Sequence, residues 1–439
     1  MLPKVLLYYT QAARNYGLSA DRLQEHKQRK LARSMRWAYE HVPLYHQRFK
    51  QLGKGPQDFE RVEQLTGFPT LSKAEVMRMG RDSLRARGVR IAVSWGTTGT
   101  SGDPFIVEYS EEMNDVRAAM ALRRLTGFGV RPWSRLVSIW PPKVRWRYGY
   151  YESGQARPST TYLDLPVASF YRRPFPTARI LVSNPVDLRG ESRALKGMEP
   201  DFIVGRASHL RQVAIQLQND GIGIHLHGLF LTGEPSTAAT MRLLSESFHA
   251  PVCRMYGCTE GGNLGGDCKA QRGLHLYEDF MIFEVLRNGE QVGPGETGEL
   301  ALTTLHNDAM PLIRYKTGDL VKRADGDRCE CGSYLMRLDS VQGRTGDGLM
   351  TASGERRPAM LVAEEIERRT GLTDFQVNQM GMDRIEVRLA HGQTLDDRQA
   401  EELTSWLSGL VGVEQTVTFA QRGEEELWEK ARPVTSAVG

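Results

Sequence analysis

The sequence predicts an α/β protein, with a large N-terminal domain of mixed sheets and helices and a small mobile C-terminal α/β domain. Three observations carry that expectation. The 439 residues exceed what one hydrophobic core ordinarily supports. From about residue 91 onward, short apolar runs alternate with helical patterns. A glycine-rich stretch, VQGRTGDG (341–348), then interrupts the alternation, and a shorter α/β piece follows it. The large domain is therefore drawn as 1–342 and the small one as 343–439, with the hinge at 343–348.

Taken in order, residues 1–90 read mostly as helix, with a turn at Phe68-Pro69-Thr70. The basic run HKQRKLARSMR (26–36) belongs to that region. Leu23, Leu31, Met35, Ala38 and Val42 fall at helical spacing around it, which predicts an amphipathic helix with a solvated basic face. RIAVSW (90–95), RLVSIW (135–140), RILVSN (179–184), DFIVG (201–205) and GLFLTG (228–233) have the apolar, branched character of buried strands. NDVRAAMALRRL (114–125) and SHLRQVAIQLQN (208–219) are the helices between them. MIFEVL (281–286) and GELALTTL (298–305), joined through GPGETG, read as antiparallel strands around a turn. Past the hinge, AEEIERR predicts a helix and RIEVRLA a strand.

Composition excludes several classes. Hydrophobic residues make up 40% and charged residues 25%, the balance of an ordinary globular chain. The net charge of +4, from 57 basic and 53 acidic residues, gives no electrostatic footprint for nucleic acid. No run approaches the ~18 apolar residues of a membrane span, so no membrane partner is expected. The opening MLPKVLLYYTQAAR has too short an apolar run for a secretion signal, and five cysteines in so long a chain suit a reducing compartment. The expectation is a cytoplasmic protein without disulfides. A homodimer is compatible with it, though nothing in the chain specifies one.

The most informative stretch is SWGTTGTSGDPF (94–105), rich in glycine and hydroxyls and lying between two strand-like runs. It lacks the Gly-Lys-Ser/Thr of a Walker loop, and neither its glycine spacing nor a following helix suits a dinucleotide fingerprint. Either it is a plain connection, or its amides and hydroxyls cradle a polyanion. Four further turns stand out: LTGEP (231–235), MYGCTEGGN (255–263), IRYKTGDL (313–320) and VQGRTGDG (341–348).

In this order, the set SWGTTGTSGDP, LTGEP, YGCTE, YKTGD and GRTGD resembles the acyl-adenylate-forming superfamily. GLHLYEDF (273–280) and a Cys-x-Cys-Gly ahead of GRTGD resemble its phenylacetate–coenzyme A ligase branch. The resemblance implies activation of a small-molecule carboxylic acid, expected to be aromatic, by ATP and Mg²⁺ to an acyl-AMP, with transfer of the acyl group to coenzyme A. It implies roles as well. Thr97, Thr98, Gly99 and Thr100 would hold the β- and γ-phosphates. Gly233, Glu234 and Pro235 would border the adenine, on which Tyr256, beside Gly257, would stack. Thr259 would bind the α-phosphate, and Glu260 would ligate Mg²⁺. Asp319 would accept from the ribose hydroxyls, and Arg344 would add charge near ribose and phosphate. EKARPV (429–434) resembles the family's terminal lysine element, which makes Lys430 the lysine that bridges carboxylate, ribose and phosphate.

Cys268 and His275, then Cys329 and Cys331, form two sequence-local pairs of soft ligands suited to a tetrahedral structural Zn²⁺. Cys253 and Cys258 read as packing residues. WPPKVRWRYGYYESG (140–154) reads as a lid, an acid pocket or an oligomer surface, and Arg206, Ser208 and His209 as part of the acid-pocket wall.

The chain departs from the family pattern in three places. The 97–104 loop has no lysine and carries Asp103, Gly346 stands where the hinge usually has an aspartate, and LMTASGERRP (349–358) lacks the usual apolar run. An adenylating enzyme with a carrier protein, an amine or a cofactor as acceptor therefore stays open. So does a non-catalytic nucleotide-binding homologue.

Overall fold

The structure is a computed structural model that describes residues 2–96, 105–140, 179–182, 187–390, 393–423 and 432–438. It falls into two compact units. One comprises the described parts of Met1–Val130 and Arg254–Ser340, the other those of Arg131–Trp146, Tyr150–Cys253 and Val341–Gly439. Among the described residues, no helix is long and apolar enough to cross a membrane.

The chain opens with helices α1 (Leu2–Asn15), α2 (Ala20–His41), α3 (Pro43–Leu52) and α4 (Lys73–Met79). The α2 helix buries Leu23, Leu31, Met35 and Ala38, the stripe expected from their spacing, so its basic residues lie on the remaining faces. Pro43 starts α3 where its missing N–H does no harm, and Gly53, at φ 62°, ends it. Strands β1 (Val93–Gly96) and β2 (Ile106–Tyr109) form an antiparallel hairpin. Helix α5 (Glu111–Gly127) follows, capped by Ser110, whose side chain accepts from the Met113 amide.

The middle of the chain carries β3 (Leu136–Trp140), β4 (Arg179–Val182), α6 (Leu188–Gly197), β5 (Phe202–Gly205), α7 (Ala207–Asn219), β6 (Gly228–Leu231) and α8 (Ala238–Phe248). The strands pair in parallel in the order β4-β3-β5-β6, as alternating strands and helices demand. Val137, Leu181, Leu210, Leu229 and Phe248 are among the apolar side chains that pack between sheet and helices.

Next come β7 (Val252–Cys258), β8 (Gly262–Asp267), β9 (Leu274–Leu276), β10 (Met281–Arg287), β11 (Glu290–Gln291), β12 (Thr297–Thr304), β13 (Tyr315–Arg323) and β14 (Arg337–Arg344). From Arg254 to Ser340 they belong to the same unit as α1–α5 and pair there in antiparallel fashion. The chain closes with β15 (Gly348–Met350), β16 (Arg356–Pro358), α9 (Ala359–Thr370), β17 (Phe375–Gly381), β18 (Arg384–Leu389), α10 (Asp397–Val411), β19 (Thr416–Gln421) and β20 (Val434–Ser436). A four-stranded sheet in the order β19-β18-β17-β20 carries α9 and α10 over a core that includes Leu349, Ile366, Val377, Val387 and Leu407.

One buried ion pair fixes the frame of the first unit. Arg314 is 2% and Glu284 6% exposed. The guanidinium donates to both Glu284 oxygens at 2.8–3.1 Å and to the Thr66 and Phe68 carbonyls at 3.1 and 2.5 Å. The Arg314 amide donates to Thr303 Oγ1, and its carbonyl accepts from the Leu71 amide. The helical N-terminal region, β10 and the start of β13 are thereby tied at one residue. Removing the anion strands a cation in the interior. Glu284→Ala is therefore expected to lower the free energy of unfolding by about 3–5 kcal/mol, read from the urea midpoint. A loss below about 1 kcal/mol, the range of an exposed pair, would contradict this role.

Candidate functional site

Three of the singled-out stretches meet within the first unit. The first is the hairpin that bears the glycine- and threonine-rich loop. Gly96 pairs with Ile106 and Trp95 with Val107, so the two stems of the loop stand side by side. Thr97, Thr98, Gly99 and Thr100 lie outside the described residues. Phe105, at the loop's exit, stacks on Tyr315 with centroids 6.1 Å apart, and the Tyr109 hydroxyl donates to the Thr259 carbonyl.

The second is the tight β7–β8 connection, which holds Thr259 and Glu260. It needs its glycines. A Cβ on Gly257 would stand 2.5 Å from the Gly262 carbonyl oxygen, and Gly262 has φ 75°. The register also slips between Tyr256 and Gly257, which re-aims the strand end. Glu260 is 7% exposed, and one of its carboxylate oxygens accepts from the Tyr315 hydroxyl at 2.8 Å.

The third is TGD. Ala301 pairs with Lys316 and Glu299 with Leu320, so Thr317-Gly318-Asp319 form a bulge in β13, with Gly318 at φ 77°. The bulge brings Asp319 to Tyr256, whose hydroxyl donates to Asp319 Oδ2 at 2.7 Å. Burial, then the Asp319 charge, pushes the Tyr256 phenol well above its ordinary value and keeps it a donor. Burial, then Glu260, likewise raises the Cys258 thiol, so it stays protonated and inert, as expected of a packing residue.

The other expected nucleotide residues lie in the second unit or outside the described residues. Gly233, Glu234 and Pro235 follow β6. Gly233 turns the chain at φ 85°, and Glu234 accepts from the Ser208 amide at 2.6 Å, so it caps the start of α7. His209, one residue on, contacts buried Glu191 at 2.8 Å, the arrangement of a structural histidine. Arg344 ends β14. Asp347, in the stretch expected to be a hinge, pairs with Arg432. Lys430 and the aromatic- and arginine-rich 141–154 segment lie outside the described residues.

The four soft ligands do meet. One atom each from Cys268, His275, Cys329 and Cys331 lies within 4.8 Å of the others. The Cys268 and Cys329 sulfurs are 3.8 Å apart, and Cys331 Sγ is 3.7 Å from His275 Nε2. Burial, then Arg337, lowers His275 to about 4, so the imidazole is neutral and has a lone pair to give. Burial pushes Cys268 up to about 11. Burial acts most strongly on Cys331 and would raise it, but hydrogen bonds from the Tyr16 hydroxyl at 3.3 Å, the Ser333 backbone and the Cys329 and Cys268 side chains together outweigh burial and hold that thiol below its ordinary value. One thiol is thus biased toward the thiolate, the ligating form. Tyr16, Tyr109 and Tyr315 carried no sequence signal for these roles, because each reaches its partner across a long stretch of chain.

No family model matches the chain. Across 425 residues it is 24% identical to the phenylacetate–coenzyme A ligase of Escherichia coli, over 92% of each protein. It is 27% identical across 343 residues to that of Thermus thermophilus, over 76% of this chain and 73% of the relative. Among solved structures, 2-hydroxyisobutyryl-CoA ligase in its postadenylation state superposes with a TM-score of 0.76 at 18% identity, over 97% of this chain and 92% of that one. Anthranilate CoA ligase with anthranoyl-AMP gives 0.56 at 12% identity, over 81% and 68%. At those identities the solved structures speak for the fold, while the sequence relatives span nearly the whole chain. In sequence the chain is thus similar to phenylacetate–coenzyme A ligases, and its fold is that of acyl-adenylate-forming enzymes.

Proposed function

We propose that this protein is an AMP-forming acid–coenzyme A ligase acting on an aromatic carboxylate. The observation that carries the proposal is the convergence of three turns in one unit: the stem of the Thr97–Thr100 loop, the Thr259-Glu260 turn and the Asp319 bulge, joined by the Tyr109–Thr259, Tyr315–Glu260 and Tyr256–Asp319 contacts. The relatives spanning 92% and 76% of the chain are named as phenylacetate–coenzyme A ligases, which supports the same acid class and acceptor.

The chemistry follows from the groups. A carboxylate is a poor acyl donor because its oxygen is a poor leaving group. Its oxygen bonds to the α-phosphorus of ATP while the bond to pyrophosphate breaks, and no proton need move. The coenzyme A thiolate then bonds to the acyl carbon, and AMP leaves. The amides and hydroxyls of Thr97, Thr98, Gly99 and Thr100 suit the β- and γ-phosphates, and Thr259 suits the α-phosphate. Tyr315 fixes one Glu260 oxygen and thereby orients the other toward a cation. Mg²⁺ held there would neutralise phosphate charge as it shifts to pyrophosphate. Tyr256, with its hydroxyl tied to Asp319, keeps its ring at a fixed angle for the adenine, and Asp319 is set for the ribose. Gly233, Glu234 and Pro235 would border the base. Arg344 is proposed to add charge near ribose and phosphate, and Lys430 to bridge carboxylate, ribose and phosphate.

The segment from 343 is proposed as the mobile domain, supported by its own core around Ile366, Val377 and Leu407. The glycines on either side of Asp347, Gly346 and Gly348, suit a rotation.

The Cys268, His275, Cys329 and Cys331 set is proposed as a structural zinc site. Zinc bonds of about 2.3 Å to sulfur and about 2.0 Å to nitrogen at the tetrahedral angle put two sulfurs about 3.8 Å apart and a sulfur and nitrogen about 3.5 Å apart. The observed 3.8 and 3.7 Å match that geometry. All four protein ligands are used, so no position is open for catalysis.

Two measurements test these assignments. A panel of carboxylic acids scored by pyrophosphate release should find an aromatic acid that yields AMP, and adding coenzyme A should give the thioester by mass. Glu260→Gln keeps an oxygen for Tyr315 but loses the charge, and is expected to slow AMP formation about 10²-fold; an unchanged rate refutes the role of Glu260, and the absence of any acid that yields AMP refutes the enzyme assignment. Metal analysis of the purified protein should find about one zinc per chain, lost in Cys329→Ser with a fall in melting temperature; substoichiometric zinc, unaltered by the substitution, refutes the metal site.

A further inference from the structure

We propose that Arg117 is a substrate-binding residue, holding a pair of oxyanion oxygens at the reacting centre. This deepens the ligase function proposed above and rests on it.

Arg117 projects from α5 into the same convergence. Its guanidinium lies over the Trp95 ring at 5.1 Å and over the Tyr109 ring at 4.5 Å. Trp95 stands two residues before Thr97, and Tyr109 holds the Thr259 carbonyl. The turn itself closes on Arg117. Asn263 Nδ2 donates to the Arg117 carbonyl at 3.2 Å, and a Cβ on Gly262 would stand 2.7 Å from Arg117 Nε. Glycine at 262 therefore makes room for this guanidinium as well as for the turn.

Three arginines that brace the unit have a carboxylate: Arg123 pairs with Asp279, Arg254 with Asp267 and Arg314 with Glu284, each at 2.8 Å. Arg124, further along α5, has none among the described residues but donates to Asn263 Oδ1 at 3.0 Å. Among the described residues no carboxylate pairs with Arg117, and its buried Nε has no hydrogen-bond partner. Two aromatic faces stabilise a guanidinium only in part, and its in-plane N–H groups still call for an acceptor. A planar fork of donors matches a carboxylate or a phosphate through two parallel hydrogen bonds. The adenylation step brings both groups to this turn, as the acid's carboxylate and the α-phosphate of ATP, and they share the chemistry of paired non-bridging oxyanions.

The test measures binding of ATP, AMP and adenosine by calorimetry, and the KM for phenylacetate and the other acids of the panel in pyrophosphate release. It uses the full-length wild type, Arg117→Gln and Arg117→Lys. Loss of a charge-assisted pair is expected to weaken one ligand about 10- to 100-fold in Arg117→Gln. If the α-phosphate is the ligand, ATP and AMP both weaken and adenosine does not. If it is the carboxylate, nucleotide binding is unchanged and the KM of the acid rises by that factor. Arg117→Lys, which keeps charge without the fork, should fall between. A purely structural arginine would lower the melting temperature of both variants and leave every affinity within twofold, which overturns the proposal. If wild type binds no adenine nucleotide, the ligase function itself fails and the role of Arg117 falls with it. If wild type turns over and Arg117→Gln matches it, only this inference fails.

Discussion

The first unit hangs on Arg314. A guanidinium 2% exposed survives in a protein interior only when nearly all its donors are met. Here a carboxylate from β10 and two backbone carbonyls from the 66–68 segment meet them, while the residue's own amide and carbonyl bind Thr303 and Leu71. The backbone at Arg314 sits at φ 50°, a left-handed conformation unusual for a side-chain-bearing residue and sustained by this surrounding network. The next residue is Tyr315, which orients Glu260. The position of the Glu260 carboxylate, proposed above as the magnesium ligand, thus traces back, through one hydroxyl and one peptide bond, to a buried ion pair.

The same unit uses a second kind of tie. Cys268 and His275 lie on either side of the short β8–β9 connection, and Cys329 and Cys331 lie in the loop before β14. β14 pairs with β9 through Arg337 and Leu338 opposite His275 and Leu274. The soft-ligand cluster therefore sits where the ladder that ends in the hinge segment begins. Tyr16, in the turn just past the end of α1, reaches the same cluster. The zinc proposed there would join pieces far apart in sequence without depending on a large hydrophobic contact.

Much of the scaffold was legible in the sequence. Apolar runs at 135–140, 201–205 and 228–233 became the parallel strands, and the stripe from Leu23 to Ala38 became the buried side of α2, because burial of one face dictates the period. The four soft ligands were readable because cysteine and histidine spacing is itself the signal, and the structure gathers them. The site residues were readable mainly through their order along the chain. What remained hidden were partners defined only in three dimensions: Tyr315 on Glu260, Tyr109 on Thr259, Tyr16 on Cys331 and Arg117 on Gly262. Glu234, readable as a nucleotide neighbour, also caps α7 through Ser208, a contact no local pattern announces.

Neither Gly257 nor Gly262 has room for a side chain, the first against the Gly262 carbonyl oxygen and the second against Arg117. The hairpin that presents Thr259 and Glu260 consequently behaves as a fixed casting. Evolution or a protein engineer seeking a different acid would have to reshape the walls around it, since even a methyl group at either position would shift Thr259 and Glu260.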